Sequence, residues 1–429
     1  MKFPKMNPAG SGKRRANARR QYRRQQGSTI MLVTLILALM GIIAIFLIYR
    51  VEAERLVAVY MEQRLRFQQT AEAVLQRYLG LLAADGTETD NQKDDWYAGG
   101  RVEFEENGFL ITVIIEDEGS KPNINLQDYD GFRYLLPVDP PLIALDPLLD
   151  WLDQDGDLRD KGAEFDYYQG LDPPYKVRDG WMASIEEMKA IKDSDKFYSY
   201  LAPELTVYGK INPNVLDPIM FKLFLIAIGF EKIEDKIWVD KITGEFEKFR
   251  FQIRGRFNEM DDFLKNTSMM IPERDILAQY VKFKGNYNLN FVDKVGLKMI
   301  IRQITLQMWK LGFQVDLSPD LAEGIINYRN NQPFTSLDTL FRNTIPSEGE
   351  VYAPINIGDF FTLVSTIIHY RIWVVKGSGK YYLDTIQERT PIKGIRNWEL
   401  HPLTWKVLTN DDVPEIPEPP EATPTPPGI

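Results

Sequence analysis

The residues in this chain that are best suited to chemistry are carboxylates spaced for binding a metal ion. Asp153, Asp155 and Asp157 alternate with other residues, and Glu164 stands at the twelfth position counted from Asp153. Hard carboxylate oxygens at positions 1, 3, 5 and 12 of a loop are what an EF-hand offers to Ca²⁺. Position 6 of an EF-hand is glycine, whereas it is Leu158 here, so the spacing does not predict that fold. On spacing alone, a solvated acidic loop is favoured over a calcium loop of another shape.

Other reactive side chains are scarce in this chain of 429 residues. There is no cysteine, which excludes a disulfide, a thiolate nucleophile and a Cys-ligated zinc site. The two histidines, His369 and His401, leave little material for a general base or a His-rich metal site. We therefore expect a protein that is not an enzyme.

The charge is distributed unevenly along the chain. The formal net charge is −10, but the first 27 residues contain nine Lys or Arg and no acid, so residues 28–429 carry −19. Proteins bind nucleic acid largely through Lys and Arg that displace counterions from phosphates. We therefore expect no nucleic-acid partner for the acidic body.

An uncharged apolar segment follows the basic start of the chain. Residues Ile30 to Tyr49 contain only Thr34 and Gly41 as interruptions, and a helix of this length crosses a ~30 Å hydrocarbon core. A removed secretory signal is the alternative, but its apolar core is usually ~7–15 residues and ends at a small-residue cleavage site. Clustered Lys and Arg before a span keep that end in the cytoplasm. The sequence predicts a retained single-pass anchor with the body outside the cytoplasm.

A glycine separates the basic stretch from the apolar segment. The junction around Gly27 and Ser28 resembles the site at which prepilin peptidases cut, immediately after glycine, leaving the apolar helix on the mature protein. Ser28 then becomes the first mature residue. Most pilin-like proteins carry Glu at mature position five, whereas this chain has Leu32 there.

Periodic patterns predict a helix followed by a sheet. Apolar residues recur at three- and four-residue steps as far as Leu82, which predicts one long helix over about residues 29–83. Apolar residues alternate with charged ones before Asn107-Gly108, and a run rich in β-branched residues follows it, over residues 102–115. This pattern predicts a β-hairpin with its turn at Asn107-Gly108. A second hairpin is expected from Phe361 to Val375 and Lys380 to Glu388 around Gly377-Ser378-Gly379, and a Pro-rich tail ends the chain.

Three segments resemble the minor pseudopilin K of the type II secretion system, the GspK family of general secretion pathway protein K. The resemblance covers roughly residues 13–216 and is most specific between Leu148 and Tyr175. The segments are Glu116-Asp117-Glu118-Gly119 through Leu126, Leu149-Asp150-Trp151-Leu152-Asp153, and Gly162-Ala163-Glu164-Phe165-Asp166-Tyr167-Tyr168 with Pro173-Pro174-Tyr175. Family members bind calcium in this region, so the resemblance favours a calcium site. Its implied ligands are Asp153, Asp155, Asp157, Glu164 and Asp166.

The resemblance also implies a role. Protein K typically lacks the Glu at mature position five and lies at the filament tip. Expected partners are the other minor pseudopilins, the major pseudopilin, the prepilin peptidase that cleaves and methylates the amino terminus, and the inner membrane, with the carboxyl-terminal domain in the periplasm. The expected function is to initiate and cap the pseudopilus for export across the outer membrane.

Two alternatives share parts of this pattern. A type IV pilus minor pilin has the same kind of anchor. A membrane-anchored DNA receptor is suggested because Leu317 to Arg329, with Pro333 to Leu340, resembles a helix-hairpin-helix. That motif needs a Gly-rich turn and basic support for phosphate, whereas acids such as Asp316 and Asp320 stand there, so a protein-interaction module is favoured.

The predicted fold class is α+β, a pilin-like helix packed on a small antiparallel sheet, with a large, mainly helical inserted domain that is SAM-like or helix-hairpin-helix-like. Gly285 to Asn290 echoes Gly209 to Asn214, which raises the possibility of a local duplication. The predicted divisions are a leader over 1–27, a membrane helix over 28–50, helix and first strands over 51–125, the inserted domain over 126–345 with an extra insertion over 231–280, closing strands over 346–408, and a disordered tail over 409–429.

Overall fold

The computed structural model describes residues 11–136, 142–153, 155–230, 236–269, 271–312, 317–318, 320–338, 356–392 and 397–418, with the backbone alone at 11–28, 142, 236–237 and 271–272. The chain divides into two compact units, one ending at Thr70 and the other beginning at Ala71. Residues 1–10 of the predicted leader and 419–429 of the predicted tail lie outside the described residues.

The described part of the first unit is helical throughout. Helix α1 covers Ser11–Ala83. The sequence predicted a helix over about residues 29–83, so α1 begins earlier than predicted and ends at the predicted position. Its apolar segment has no charged residue, whereas ion pairs one turn apart, such as Arg50 with Glu54 at 3.0 Å, follow it. Such pairs stabilise a helix in water. The part of α1 that follows the apolar segment is therefore suited to water and not to the hydrocarbon core of a membrane.

The second unit contains an antiparallel sheet. Its strands are β1 (Arg101–Glu106), β2 (Phe109–Asp117), β5 (Ile367–Lys376), β6 (Gly379–Pro391), β7 (Trp398–Pro402) and β8 (Lys406–Thr409). Their order is β1-β2-β5-β6-β7, and β8 pairs with another part of β6. Both predicted hairpins are confirmed, the first through left-handed Asn107 and Gly108, whose φ values of 53° and 74° suit a two-residue turn.

One face of the central strands is buried. Alternate residues Val113 and Ile372 face each other across β2 and β5, and both have no exposed surface. The last three turns of α1 also belong to this unit and contribute a buried stripe at three- and four-residue steps, namely Ala71, Val74, Leu75, Tyr78 and Leu82. This is the predicted α+β arrangement of a helix and an antiparallel sheet.

The α-helices that the structure describes after α1 lie between two neighbouring strands, β2 and β5, so the helical domain is inserted into the sheet as predicted. The elements of this domain are α2 (Tyr129–Phe132), α3 (Asp146–Leu152), α4 (Phe165–Gln169), α5 (Tyr198–Leu201), α6 (Pro218–Leu225), α7 (Lys236–Glu247), α8 (Met260–Thr267), α9 (Ile271–Tyr280), β3 (Tyr287–Asn288), α10 (Lys294–Lys310), α11 (Leu321–Asn331) and β4 (Phe361–Thr362).

Three modules make up the inserted domain, and each closes by a parallel pairing of its two ends. Asn123 pairs with Thr206 in the first module, Ile211 with Val281 in the second, and Tyr287 with Phe361 in the third. Each module surrounds a buried core, and that of the second, which also includes Leu126 and Trp181 of the first module, is rich in Phe, with Phe221 and Phe246 stacked 4.0 Å apart. The cores of neighbouring modules therefore share residues.

The same sequence motif, Asn-x-Asn-x-x-Asp, opens each module. The motif residues are Asn123, Asn125 and Asp128, then Asn212, Asn214 and Asp217, then Asn288, Asn290 and Asp293. In each module the first Asn accepts from the N–H of the second, and the Asp caps the helix that follows. The side chain of the second Asn donates to the carbonyl and accepts the N–H of a single residue distant in sequence. That residue is Met182 in the first module, Phe257 in the second and Phe334 in the third. The echo seen in the sequence is thus a threefold structural repeat.

Two predicted divisions fall within the second and third modules. The described part of residues 231–280, expected to be an extra insertion, contributes to the second module, with 231–235 and 270 outside the described residues. The closing strands were expected over 346–408, and Phe361 within that range pairs with β3 of the third module. Both divisions stay predictions.

The start of the predicted disordered tail contacts the sheet. Trp373 donates to the carbonyl of Pro414 at 3.0 Å, and Val413 and Ile416 pack against its ring cluster. The apolar residues among the prolines explain this contact, because they cover the second face of the sheet.

Candidate functional site

The described residues contain one helix that is long and apolar enough to cross a membrane, and it lies near the amino terminus. The side chains from Ile30 to Tyr49 are exposed throughout, so no protein surface in the structure covers them. The predicted processing residues Gly27 and Ser28 lie on the backbone of α1. Leu32 is 57% exposed and continues the apolar surface.

The acidic loop, residues 150–166, lies between α3 and α4 in the first module. Asp153 follows the last residue of α3, and Glu164 directly precedes α4. Asp155 accepts the N–H of Asp157, which is a local turn contact. Asp153 and Asp155 also line an open cleft of about 670 Å³ that α6 and α7 of the second module share.

A buried ion-pair network organises this loop. Asp150 is fully buried, and its carboxylate accepts from the guanidinium of Arg159 at 2.5 Å and from the N–H of Ala163 at 2.9 Å. The same Arg159 nitrogen lies 2.5 Å from Asp153. Gly162 is required here, because a Cβ at this position would lie 1.7 Å from the Asp150 carboxylate. Asp150 therefore fixes the course of the loop.

Crowded carboxylates raise one another's pKa in the loop. Burial raises the pKa of Glu164 to about 7, and the nearby charges of Asp150, Asp153 and Asp179 add to that shift. Burial likewise raises the pKa of Asp153 to about 6, even though Arg159 lowers it. Burial raises the pKa of Asp179 as well. At neutral pH the carboxylates of the metal-free loop therefore repel one another, and the nearby positive groups do not balance their charge.

Three carboxylate oxygens in this region fit a hard cation. Asp153 Oδ1, Glu164 Oε1 and Asp179 Oδ1 are buried and have no hydrogen-bond partner among the described residues. Unmatched buried oxygens are costly unless a cation or a proton joins them. An all-oxygen donor set of this kind suits Ca²⁺.

The structure gathers only part of the predicted ligand set. Asp153, Asp155 and Glu164 influence one another electrostatically, while Asp157 and Asp166 are exposed. Sequence reasoning missed two acids. Asp150 was signalled by the Asp-Trp segment of the family resemblance, but Asp179 had no signal, because the chain returns to the loop only through the fold of the module.

Two acidic clusters outside the loop bring three ligand atoms within 4.8 Å of one another, which no three carboxylates of the loop do among the described residues. The first joins Glu116, Glu118 and His369. Lys121 lies 3.1 Å from Glu116 and 2.9 Å from Glu118, so an ammonium already neutralises the pair. Although burial alone would raise it, Lys121 lowers the pKa of Glu118 to about 2. This cluster is an ion-pair network.

The second cluster surrounds Arg389, whose side chain is fully buried. It pairs with Asp90 and, at 3.2 Å, with Asp85, and its guanidinium lies 4.4 Å from the ring centre of Trp398. Asp94 completes the acidic group. The cation occupies the position between carboxylates that a metal would need.

The predicted helix-hairpin-helix segment serves the core of the third module. Ala322 and Ile325 of α11 are buried, as is Phe334. Arg329 donates to the carbonyls of Leu289 and Val292 at 3.2 and 2.6 Å, so this cation is bound to main chain. Pro319, Thr339 and Leu340 of the predicted motif lie outside the described residues.

Comparison with known proteins gives a match over this same region. The family model for "Type II secretion system (T2SS), protein K" matches residues 141–210, which include the whole acidic loop. The type II secretion system protein K of Aeromonas hydrophila is 29% identical over 244 residues, covering 49% of this chain and 73% of that protein. Over these ranges the chain is similar to protein K of the type II secretion system.

A solved structure is similar over a wider range. The protein comes from "The Crystal Structure of the GspK-GspI-GspJ complex from enterotoxigenic Escherichia coli Type 2 Secretion System". The match covers 81% of this chain and 96% of that chain, with 12% identity and a TM-score of 0.42.

Proposed function

We propose that this chain is a minor pseudopilin that initiates the pseudopilus and caps its tip, supporting protein export across the outer membrane. The observation that carries the proposal is Leu32 on the exposed apolar part of α1. A carboxylate at this position would need a partner in lipid, and in pilin-like filaments it neutralises the amino terminus of the neighbouring subunit. A subunit without it suits the one place in a filament that has no neighbour above.

The topology follows from the charge around the apolar segment. The first 27 residues carry nine positive charges and no negative one, which holds this end in the cytoplasm and directs the acidic body to the periplasm. The proposed anchor lies in the inner membrane. Because the chain has no cysteine, Lys13→Cys and Ser378→Cys each introduce a single thiol. In cells that lack the prepilin peptidase, so that residues 1–27 stay attached, and whose outer membrane is permeabilised, a membrane-impermeant maleimide is expected to label only the second thiol. Labelling of the first would refute this topology.

Processing is proposed to occur between Gly27 and Ser28, with methylation of the new amino terminus. The cut leaves the apolar segment as the first part of the mature helix. Intact-mass and amino-terminal sequencing of the native protein are expected to begin at Ser28. A mature protein that begins beyond Tyr49 would eliminate both the anchor and the filament role.

The proposed partners are the other minor pseudopilins, the major pseudopilin and the prepilin peptidase. The similarity to protein K supports these three interactions, and the acidic body disfavours nucleic acid. The apolar segment supplies the surface for packing among similar helices, since its side chains are exposed.

Calcium is proposed to bind the acidic loop through Asp153, Glu164 and Asp179, with Asp155 close by. The support is the set of three unmatched buried oxygens, together with the shared repulsion that burial and proximity create. A bound calcium ion would supply the positive charge that these carboxylates lack. Asp157 and Asp166 stay candidate ligands, although both are exposed.

The tip proposal is tested by restoring the missing carboxylate. In a strain lacking its own protein K, Leu32→Glu is expected to reduce secretion, because a charge in lipid without a partner costs about 2.5–3.5 kcal/mol at mid-membrane. Ile36→Glu, one turn farther, is the matched control and should be similarly harmful. If Leu32→Glu supports full secretion while Ile36→Glu does not, the subunit sits below another one and the tip assignment is refuted.

A further inference from the structure

An arginine-rich pocket lies where the second and third modules meet. It has a volume of about 280 Å³, and its lining includes Arg250, Arg254 and Arg256 from the second module. Ile304 and Met308 of α10 line it from the third module. The body of the chain has a net charge of −19, so three guanidinium groups at one cavity are unexpected. The pocket is therefore a cluster of cations in an otherwise acidic body.

Arg250 is the most buried of the three, with 6% of its surface exposed. Its terminal nitrogens donate to the main-chain carbonyls of Gly255 and Asn214, so neutral groups hold its charge. Its Nε–H has no hydrogen-bond partner among the described residues. A buried charged donor thus remains to be matched beside the cavity.

The carboxylate that lines the pocket is already engaged. Asp359 accepts from Arg256 Nε at 3.1 Å and from its terminal nitrogen at 2.7 Å, and it also accepts from Asn212. Among the lining residues that the structure describes, Asp359 is the one carboxylate, and it is used by Arg256. Arg250, whose charge is held only by main-chain carbonyls in the hydrogen bonds above, therefore favours an anion as occupant.

Backbone geometry directs Arg254 toward the third module. Its φ of 60° places a residue other than glycine in the left-handed region, which is uncommon and concentrated at functional sites. Its terminal nitrogen lies 3.1 Å from the point that a Cβ on Gly312 would occupy. Gly312 itself has a φ of 83°, so a side chain there would be strained and would also crowd the guanidinium.

The lining favours an organic anion over an inorganic one. Guanidinium groups bind carboxylate or phosphate through paired N–H donors. Ile304, Met308 and Phe360 offer apolar surface that suits a carbon skeleton and gives nothing to a bare phosphate. A cavity of this size accommodates a short-chain acid or the end of an acidic side chain.

We propose that the pocket between the second and third modules binds an organic carboxylate, supplied either by a small free acid or by the acidic carboxyl end of a peptide. Arg250 and Arg254 provide the charge-assisted donors, and the α10 side chains contact the carbon chain. The second module supplies the cationic side, which assigns it a binding role independent of the filament position.

The test uses the full-length protein in detergent and isothermal titration with three probes of similar size. Glutarate is expected to bind, whereas glutaramide, its uncharged counterpart, and inorganic phosphate are expected to bind at least about tenfold more weakly, since they lack the charge or the carbon chain. Equal binding of glutarate and glutaramide overturns the anion assignment. Phosphate binding as tight as that of glutarate overturns the organic class.

A pair of variants ties the binding to this pocket. Arg254→Gln changes an exposed side chain and is expected to weaken glutarate binding about tenfold, the usual effect of losing one charge-assisted hydrogen bond. Arg274→Gln removes an exposed arginine that pairs with Asp261 on α8 and is expected to leave binding unchanged. Equal affinity of Arg254→Gln and the unmodified protein overturns the site.

A last comparison identifies the source of the carboxylate. An acetylated tripeptide that ends in Glu, with its carboxyl terminus free, is titrated beside glutarate. Tighter binding of the peptide supports a protein partner, and tighter binding of glutarate supports a small acid. Failure of both to bind overturns the proposal.

Discussion

The second Asn of each repeated motif is expected to act as a clamp that closes its own module. Asn214 donates to the carbonyl of Phe257 at 2.8 Å and accepts its N–H at 2.9 Å, and Asn290 does the same for Phe334 at 3.0 and 2.8 Å. Replacement of either Asn by Ala leaves a buried N–H and a buried carbonyl without partners. At about 1–3 kcal/mol for each such group, Asn214→Ala and Asn290→Ala should each cost about 3 kcal/mol.

Asn125 makes the equivalent pair with Met182, at 3.0 and 2.8 Å, but it is only half-buried. Water can replace its side chain, so Asn125→Ala is expected to cost about 1 kcal/mol. Asn331→Ala is the control, because this exposed side chain bonds only to its own helix, at the carbonyl of Asn327, and its loss should change little.

Hydrogen exchange measured by mass spectrometry is the appropriate assay, because it reports the free energy of local opening for each segment separately. Asn214→Ala should speed exchange in α8 of the second module, and Asn290→Ala should do so in α11 of the third. The clamp explanation is refuted if Asn214→Ala opens α11 and leaves α8 protected, or if Asn125→Ala is the most damaging of the three.

Three further outcomes follow from the charged groups. Chelation of calcium should lower the melting temperature of the full-length protein in detergent, and an unchanged melting curve would remove the calcium proposal. Because the pKa of Glu164 is raised to about 7, calcium binding should weaken as pH falls below about 7, and the metal-free protein should lose stability as pH rises from about 4.5 to 7. Calorimetry of Glu164→Gln should show both trends reduced, with the part due to Asp153, whose pKa is raised to about 6, remaining. Arg389→Met leaves buried Asp90 without its cation and should cost about 3–5 kcal/mol by denaturant unfolding, and adding Asp90→Asn should recover part of that loss.

The anchor and the sheet could be predicted because their signals are local. An uncharged apolar run determines a membrane helix from composition alone, and Asn107-Gly108 determines a hairpin turn because both residues tolerate a positive φ. The family resemblance also indicated which loop gathers carboxylates. These signals needed no information on distant contacts.

The modules could be predicted only in part, because their closure depends on pairs that lie far apart in sequence. Asn214 and Phe257 are 43 residues apart, and no local pattern links them. The motif repeats were recognisable at two of three positions, whereas the segment Asn123 to Asp128 was interpreted only through the family resemblance. Asp179 was missed for the same reason, since the fold alone brings it to the acidic loop.

The parallel closure of each module has a consequence for how such a chain changes over evolution. Paired strands lie about 4.8 Å apart, so the polypeptide enters and leaves the second module at neighbouring points, near Ile211 and Val281. Excision or acquisition of everything in between would require only a short splice and no movement of the flanking segments. A homologue of different length can therefore differ by a whole cassette while keeping the same sheet and the same anchor.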